Sequence, residues 1–207
     1  MKDLREWFWG NTGYRFVVLF DSDEGLLVRT KELGKDKKRT LCRSKPMEEA
    51  IIEIVETGLN SEKWQGLLYI MGFGEVSSFT PLYVGKAERR GVKHEVSGNL
   101  VNIRHNYGKF ARWGDGLDFH IGDLSQTLFR FQGYRGPRKK YQRWADRLFL
   151  QMDPPRLKET VYLYLAPWFE GSVGPSGLSV SLPAVEKEVI ALASIAFPET
   201  LMNVDGV

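Results

Sequence analysis

Three consecutive pieces decide the fold: GLLYIMGF (66–73), GEVSSFT (74–80) and PLYVG (81–85). The outer two are short runs rich in apolar, β-branched and aromatic residues. The middle one is polar, with Gly74 and two serines. Apolar runs of this length with a short polar connection predict an antiparallel hairpin. Each strand carries one tyrosine, Tyr69 on the first and Tyr83 on the second.

Working outward, NLVNIRHNYGKFARW (99–113) places Leu100, Ile103, Tyr107, Phe110 and Ala111 on one side of a predicted helix, with Gly108 interrupting it. LDFHIGD (117–123) alternates like a third strand. RKKYQRWADRLFLQM (138–152) has helical periodicity, with Tyr141, Trp144, Leu148 and Met152 as its apolar stripe, and Pro154 and Pro155 end it. KETVYLYLAPW (158–168) predicts a strong strand. LPAVEKEVIALASIAF (182–197) predicts a helix opened by Pro183 and closed by Pro198. Upstream, YRFVVLF (14–20), the turn DSDEG and LLVRT (26–30) read as a β-hairpin. KPMEEAIIEIVETGL (45–59) reads as a helix with Met47, Ala50, Ile51, Ile54 and Val55 at its apolar spacing. The expected fold class is therefore α+β, a small antiparallel sheet of about three strands flanked by helices. Residues 1–60 form an N-terminal hairpin-plus-helix accessory segment, and 61–207 the main domain.

Composition narrows the class without naming a function. The 207 residues are 43% hydrophobic and 27% charged, ordinary for a globular chain. No run of apolar residues approaches the length of a membrane span, and MKDLREWFWG lacks the apolar core of a signal peptide. A single cysteine, Cys42, cannot pair within the chain, so the expected compartment is reducing and cytoplasmic. Net charge is only +3, from 29 basic and 26 acidic side chains, but the distribution is uneven. Arg130, Arg135, Arg138, Lys139, Lys140, Arg143 and Arg147 cluster against Asp146 alone. Such a basic stripe with interleaved Tyr141 and Trp144 suits a phosphate backbone, with Arg138, Lys139, Lys140 and Arg143 as the contact residues.

From about residue 61 onward the chain resembles a GIY-YIG nuclease domain. LLYIM resembles the first motif, with Tyr69 as its tyrosine, and YVGKA resembles the second, giving Tyr83, Gly85 and Lys86. VEKEVI and FPETLMN resemble the closing glutamate helix and asparagine, giving Glu186 and Asn203. The parts occur in the family's order. Leu67 stands where the first motif normally has glycine, with Gly66 one place earlier. Lys93 stands where the family's arginine usually falls. Arg104, on the helix after an expanded loop, is the preferred arginine, with Arg89 and Arg90 as competitors, and Glu188 competes with Glu186. A basic helical insertion would cover 130–152.

The resemblance implies an endonuclease that hydrolyses phosphodiester bonds, of DNA before RNA, with a restriction-like or phage-defence enzyme as the nearest type. Glu186 would be the hard-oxygen ligand of one Mg²⁺ or Mn²⁺. Arg104 would clamp the scissile phosphate. Tyr83 would be the general base, helped by Lys86, and Tyr69 would position the phosphate or the water. Gly85 would let substrate approach the backbone. His105 adjoins Arg104, but neighbours on a helix point about 100° apart. His120, within an alternating strand, reads as a structural residue. A homodimer is compatible with the sequence. A catalytically silent relative that binds nucleic acid or protein is the rival reading, separated by whether the two tyrosines, the arginine and a glutamate share one cleft.

Overall fold

In a computed structural model of the chain, residues 4–9, 14–92, 94–130, 136 and 138–203 are described. The elements run α1 (Leu4–Trp9), β1 (Arg15–Val18), β2 (Thr30–Leu33), β3 (Lys38–Leu41), α2 (Lys45–Leu59), β4 (Trp64–Phe73) and β5 (Thr80–Glu88). They continue with α3 (His120–Phe129), α4 (Lys139–Leu148), β6 (Phe149–Gln151), β7 (Arg156–Leu157), β8 (Val161–Phe169) and α5 (Leu182–Ala196), with short 3₁₀ turns at Val76–Ser78 and Phe110–Arg112. The fold is α+β, built on a four-stranded antiparallel sheet of order β1-β8-β4-β5, with two small two-stranded sheets beside it.

The tyrosine hairpin forms as its residues predict. Tyr69 pairs with Gly85 and Met71 with Tyr83, with an irregularity between Met71 and Gly72. Alternation along β4 divides its side chains between two cores, since successive residues face opposite sides. Leu67, Tyr69 and Met71 join α2, α3 and α4 in one cluster. Leu68 and Ile70 join α1, α5, Tyr164 and Trp168 in the other. The sheet is thus covered on both faces, and β4 and β8 are buried along most of their length.

The fourth strand comes from the N-terminal segment. Residues 15–18 pair with 162–165 of β8 rather than with 26–30, so the predicted hairpin at 14–30 is reduced to its tip, where the DSDEG turn sets Ser22 opposite Val28 in a single antiparallel bridge. Strand β8 is long and apolar and leaves an edge that only a distant segment can fill. The local hairpin is β2-β3 instead. Helix α2 starts where Ser44 accepts a hydrogen bond from the Met47 amide and donates to the Val18 carbonyl, which ties the cap to the end of β1. Near its end, a Cβ on Gly58 would run into the Trp64 indole, so this helix packs against the start of β4 without a side chain between them.

Two further expectations change. The predicted helix at 99–113 is a series of turns ending in the 3₁₀ turn at Phe110–Arg112. Its chain path depends on left-handed φ values at Asn102, Phe110, Ala111 and Arg112, which a helix does not contain. The predicted strand at 117–123 is instead the start of α3. None of the described helices is long and apolar enough to cross a membrane.

Candidate active site

Strand β5 is an edge strand of the four-stranded sheet. A cleft of about 380 Å³ opens along it, lined by Tyr69, Tyr83, Lys86, Arg112, His120 and Glu186 among others. A larger groove of about 560 Å³ continues from it past Glu88 and Arg90, but neither tyrosine, nor Arg112, nor Glu186 reaches it. The two tyrosines, Arg112 and Glu186 therefore gather at the smaller space.

The two tyrosines sit in different surroundings. Tyr69 is buried, and burial pushes its phenol well above the usual range. Its hydroxyl lies 2.9 Å from Nε2 of His120, whose Nδ1 lies 3.0 Å from the Tyr141 hydroxyl. His120 is 1% exposed, and burial, followed by Lys140 and Arg112, holds it well below its usual pKa. A neutral imidazole donates from one nitrogen and accepts at the other. One of these phenols therefore donates to His120 and the other accepts from it. Tyr83 is only partly buried, and its hydroxyl accepts a 2.9 Å hydrogen bond from Lys140 Nζ, which also lies 4.2 Å from the ring centre. Of the two phenols, Tyr83 is the one available to solvent and charge.

Gly85 earns its place through Tyr69. A Cβ there would come within 2.6 Å of the Tyr69 ring and hydroxyl, so the glycine makes room for the phenol rather than for an incoming substrate. Lys86 lies 3.4 Å from Glu186 and 3.3 Å from Glu88. Glu186, on the first turns of α5, has a side chain 21% exposed. Burial raises its pKa, with Lys86 opposing the shift. Glu188 points elsewhere: its carboxylate accepts from the Ser176 amide beside Gly174. Asn203 is held at the same strand, its amide oxygen accepting from the Val84 N–H and its amide nitrogen donating to the Val84 carbonyl, both at 2.9 Å.

The predicted arginine is corrected. Arg104 has a side chain 59% exposed and makes a two-point pair with Glu56 of α2, at 2.8 and 2.6 Å, away from the cleft. His105 is exposed beside it. Arg112 lines the cleft instead. Three successive residues with positive φ, Phe110, Ala111 and Arg112, deliver it there, a backbone that costs free energy and persists only when surroundings enforce it. The enforcing contact is Arg43, whose side chain is 1% exposed. It donates to the Trp113 carbonyl at 2.8 Å and the Tyr107 carbonyl at 3.3 Å, and pairs with Glu48 at 2.8 Å. Arg90 also lines the cleft, and Arg89 donates to the Ser61 carbonyl. Lys93 and Arg135 lie outside the described residues, as do 131–134 and 137 of the basic segment.

The basic segment divides. Arg138 is paired with Asp118 and Asp123, the latter at 3.1 Å, so its charge is satisfied within the protein. Lys140 turns inward to Tyr83, while Lys139 and Arg143 are exposed. The readings missed here are Arg112 and His120 as cleft residues and Lys140 as the partner of Tyr83. Arg112 and His120 gave no local signal, because a left-handed turn and a partner fifty-one residues away leave no periodicity. Lys140 was visible as a cation but not as a neighbour of Tyr83.

Glu186 is the carboxylate that faces the cleft. Among the described residues no three His, Cys, Asp or Glu side chains gather in one place. One carboxylate with waters and a substrate phosphate suits Mg²⁺ or Mn²⁺, which keep most of their water, and does not suit zinc. No family model, curated protein or solved structure matches the chain.

Proposed function

We propose that the chain is a metal-dependent endonuclease of GIY-YIG type that hydrolyses phosphodiester bonds of DNA in the reducing cytoplasm. The observation that carries this reading is convergence: Tyr69, Tyr83, Lys86, Arg112 and Glu186 come from four separate segments to line one cleft. Taken singly, each has a structural explanation. Together, two phenols, two cations and a carboxylate are the groups that phosphoryl transfer needs.

In this reading the scissile phosphate is bound by Arg112, whose planar guanidinium matches phosphate oxygens and offsets the charge that builds up on them. A water attacks phosphorus, its oxygen forming the new P–O bond while the bond to the leaving sugar oxygen breaks. Tyr83, as its phenolate, takes a proton of that water and afterwards releases it to solvent. The Lys140 ammonium stabilises negative charge at the Tyr83 oxygen through its hydrogen bond. The leaving oxygen is protonated from solvent. Tyr69, buried and bonded to His120, fixes the wall against which Tyr83 and the phosphate lie. Glu186 would hold Mg²⁺ or Mn²⁺, which when bound supplies positive charge to the phosphate and lowers the proton affinity of water. Lys86 would then share the carboxylate with the ion or release it.

The Lys86–Glu186 pair also favours a second reading, in which the carboxylate is permanently taken and the protein binds nucleic acid without cutting it. Incubation with supercoiled plasmid in Mg²⁺, Mn²⁺ or EDTA separates the two. The nuclease reading expects metal-dependent cutting that falls at least about 100-fold in Tyr83→Phe and in Arg112→Gln. It expects Glu186→Gln to be inactive while Glu188→Gln and Arg104→Gln still cut. Salt-sensitive retardation of the plasmid with no cutting under any condition would instead establish the silent binder.

A further inference from the structure

We infer that a second phosphate site lies at the C-terminal end of α4, and that it takes a backbone phosphate of the nucleic-acid strand whose scissile bond sits in the cleft. The inference rests on the reading of nucleic acid as the ligand, though not on cleavage.

A hollow of about 440 Å³ is lined there by Ser78, Thr80, Thr200, Arg147, Lys158 and Glu159, among others. Arg147 carries a guanidinium with five possible donors. Its Nε is buried with no hydrogen-bond acceptor, and its Nη2 reaches only the Glu199 carbonyl at a long 3.4 Å. Buried donors almost always have an acceptor, and an orphan one calls for a group the protein itself does not provide. Lys158 donates at 2.7 Å to the Asp146 carbonyl, a neutral acceptor. Neither cation has a carboxylate within 4 Å among the described residues, whereas Arg15, Arg39, Arg104 and Arg138 all do. The Thr80 and Thr200 hydroxyls make only long contacts, 3.4 to 3.5 Å, with backbone carbonyls. Two cations, one of them an under-bonded guanidinium, and three hydroxyls around one hollow form a site for a tetrahedral oxyanion. Glu159 at the rim weakens it.

The spacing ties this hollow to the cleft. Lys140 touches Tyr83 and Arg147 lies two helical turns further along the same face of α4, about 10.5 Å away. Along β5, the irregularity at Leu82 sets Tyr83 and Thr80 opposite Met71 and Phe73, two residues apart on β4, about 7 Å. Successive phosphates of one strand lie roughly 6–7 Å apart, because the backbone winds about the helix axis while rising about 3.4 Å per nucleotide, so the second phosphate is about one to two nucleotides from the first. Helix α4 then acts as a ruler, with Lys140 at the reacting end, Arg143 exposed between, and Arg147 at the far end.

Binding measured in EDTA by fluorescence anisotropy of a labelled duplex tests this without cleavage. Lys158→Gln, an exposed change that leaves the core intact, is expected to weaken binding about three- to tenfold and to reduce the slope of log K against log salt by about one. Glu159→Gln is expected to tighten binding, and Arg147→Gln to weaken it further if it folds. An uncharged methylphosphonate walked along one strand is expected to weaken wild-type binding at one linkage and to have no effect there on Lys158→Gln. Unchanged affinity and salt slope in both Lys158→Gln and Glu159→Gln would overturn the inference. So would competition by millimolar inorganic phosphate with no response to any methylphosphonate, which would make the site one for a free anion. A duplex bound in the expected way but never cut in Mg²⁺ removes the nuclease reading and leaves this site standing.

Discussion

Tyr69 and Tyr83 offer the same functional group, and their neighbours give them different work. Tyr69 is enclosed between Trp113, His120 and the strand backbone, whereas Tyr83 touches an ammonium and opens on the cleft. His120 is the residue where this arrangement is exposed to pH. The unfolded chain takes up a proton on this histidine near its usual pKa of about 6.5, while the folded chain resists it because the ring is buried and faces Lys140 and Arg112. The unfolded state then binds more protons below that pH, so stability present above about 6.5 is lost as the pH falls toward the depressed folded value. Urea unfolding midpoints should drop between pH 7.5 and 5.5, and His120→Gln should flatten that drop even if it is less stable at pH 7.5. An identical drop in the variant would assign the effect to another group. Nothing in the sequence marked His120 for this role: its two partners lie on β4 and α4, and the alternation around it imitated a strand.

At the scale of elements, the turn at Phe110–Arg112 matters more than any helix, because it aims Arg112, the arginine proposed to bind the phosphate, into the cleft. Its support comes from Arg43, a fully buried cation bonded to two carbonyls of that turn region and to Glu48. Arg43→Met keeps much of the volume and removes those bonds, leaving the Trp113 and Tyr107 carbonyls and Glu48 without their donor. The expected cost is about 3 kcal/mol of stability, read from chemical denaturation. Cleavage well below the melting temperature should also fall about tenfold, since a loosened Arg112 misplaces the phosphate. A variant that loses stability but cuts at the wild-type rate would mean that the turn holds itself. The helices α2 and α5 and the strands β4, β5 and β8 were legible because each has a periodic apolar pattern and recognisable ends. The segment from 99 to 119 was not, since its path follows from left-handed residues and from a clamp contributed some sixty residues earlier. The same reasoning explains the arginine: the family's spacing falls on Lys93, and Arg104 was preferred as a residue of a predicted helix, but that helix does not form and Glu56 captures Arg104.

For the molecule as a whole, the N-terminal segment is part of the main core. Strand β1 completes the sheet, and Ile51, Ile54 and Val55 of α2 pack in the cluster that also holds Tyr69, Trp113 and Trp144. Helix α1 covers the opposite face beside Trp168 and Tyr164. A fragment of residues 61–207 is therefore expected to lack a cooperative thermal transition and to be digested rapidly by protease, against a single sharp transition for the full chain. A sharp melt of the fragment would show that the first sixty residues are an independent appendage after all. Asn203 has a consequence at this scale too. A sheet that ends on an unpaired strand can template the same strand of a second copy, and β5 is such a strand. The side-chain amide of Asn203 imitates a peptide unit and takes both hydrogen-bonding groups of Val84, while the Met202 amide takes the Leu82 carbonyl. The chain thereby caps its own sheet beside Tyr83, and a neighbouring copy finds the backbone of Leu82 and Val84 already taken there.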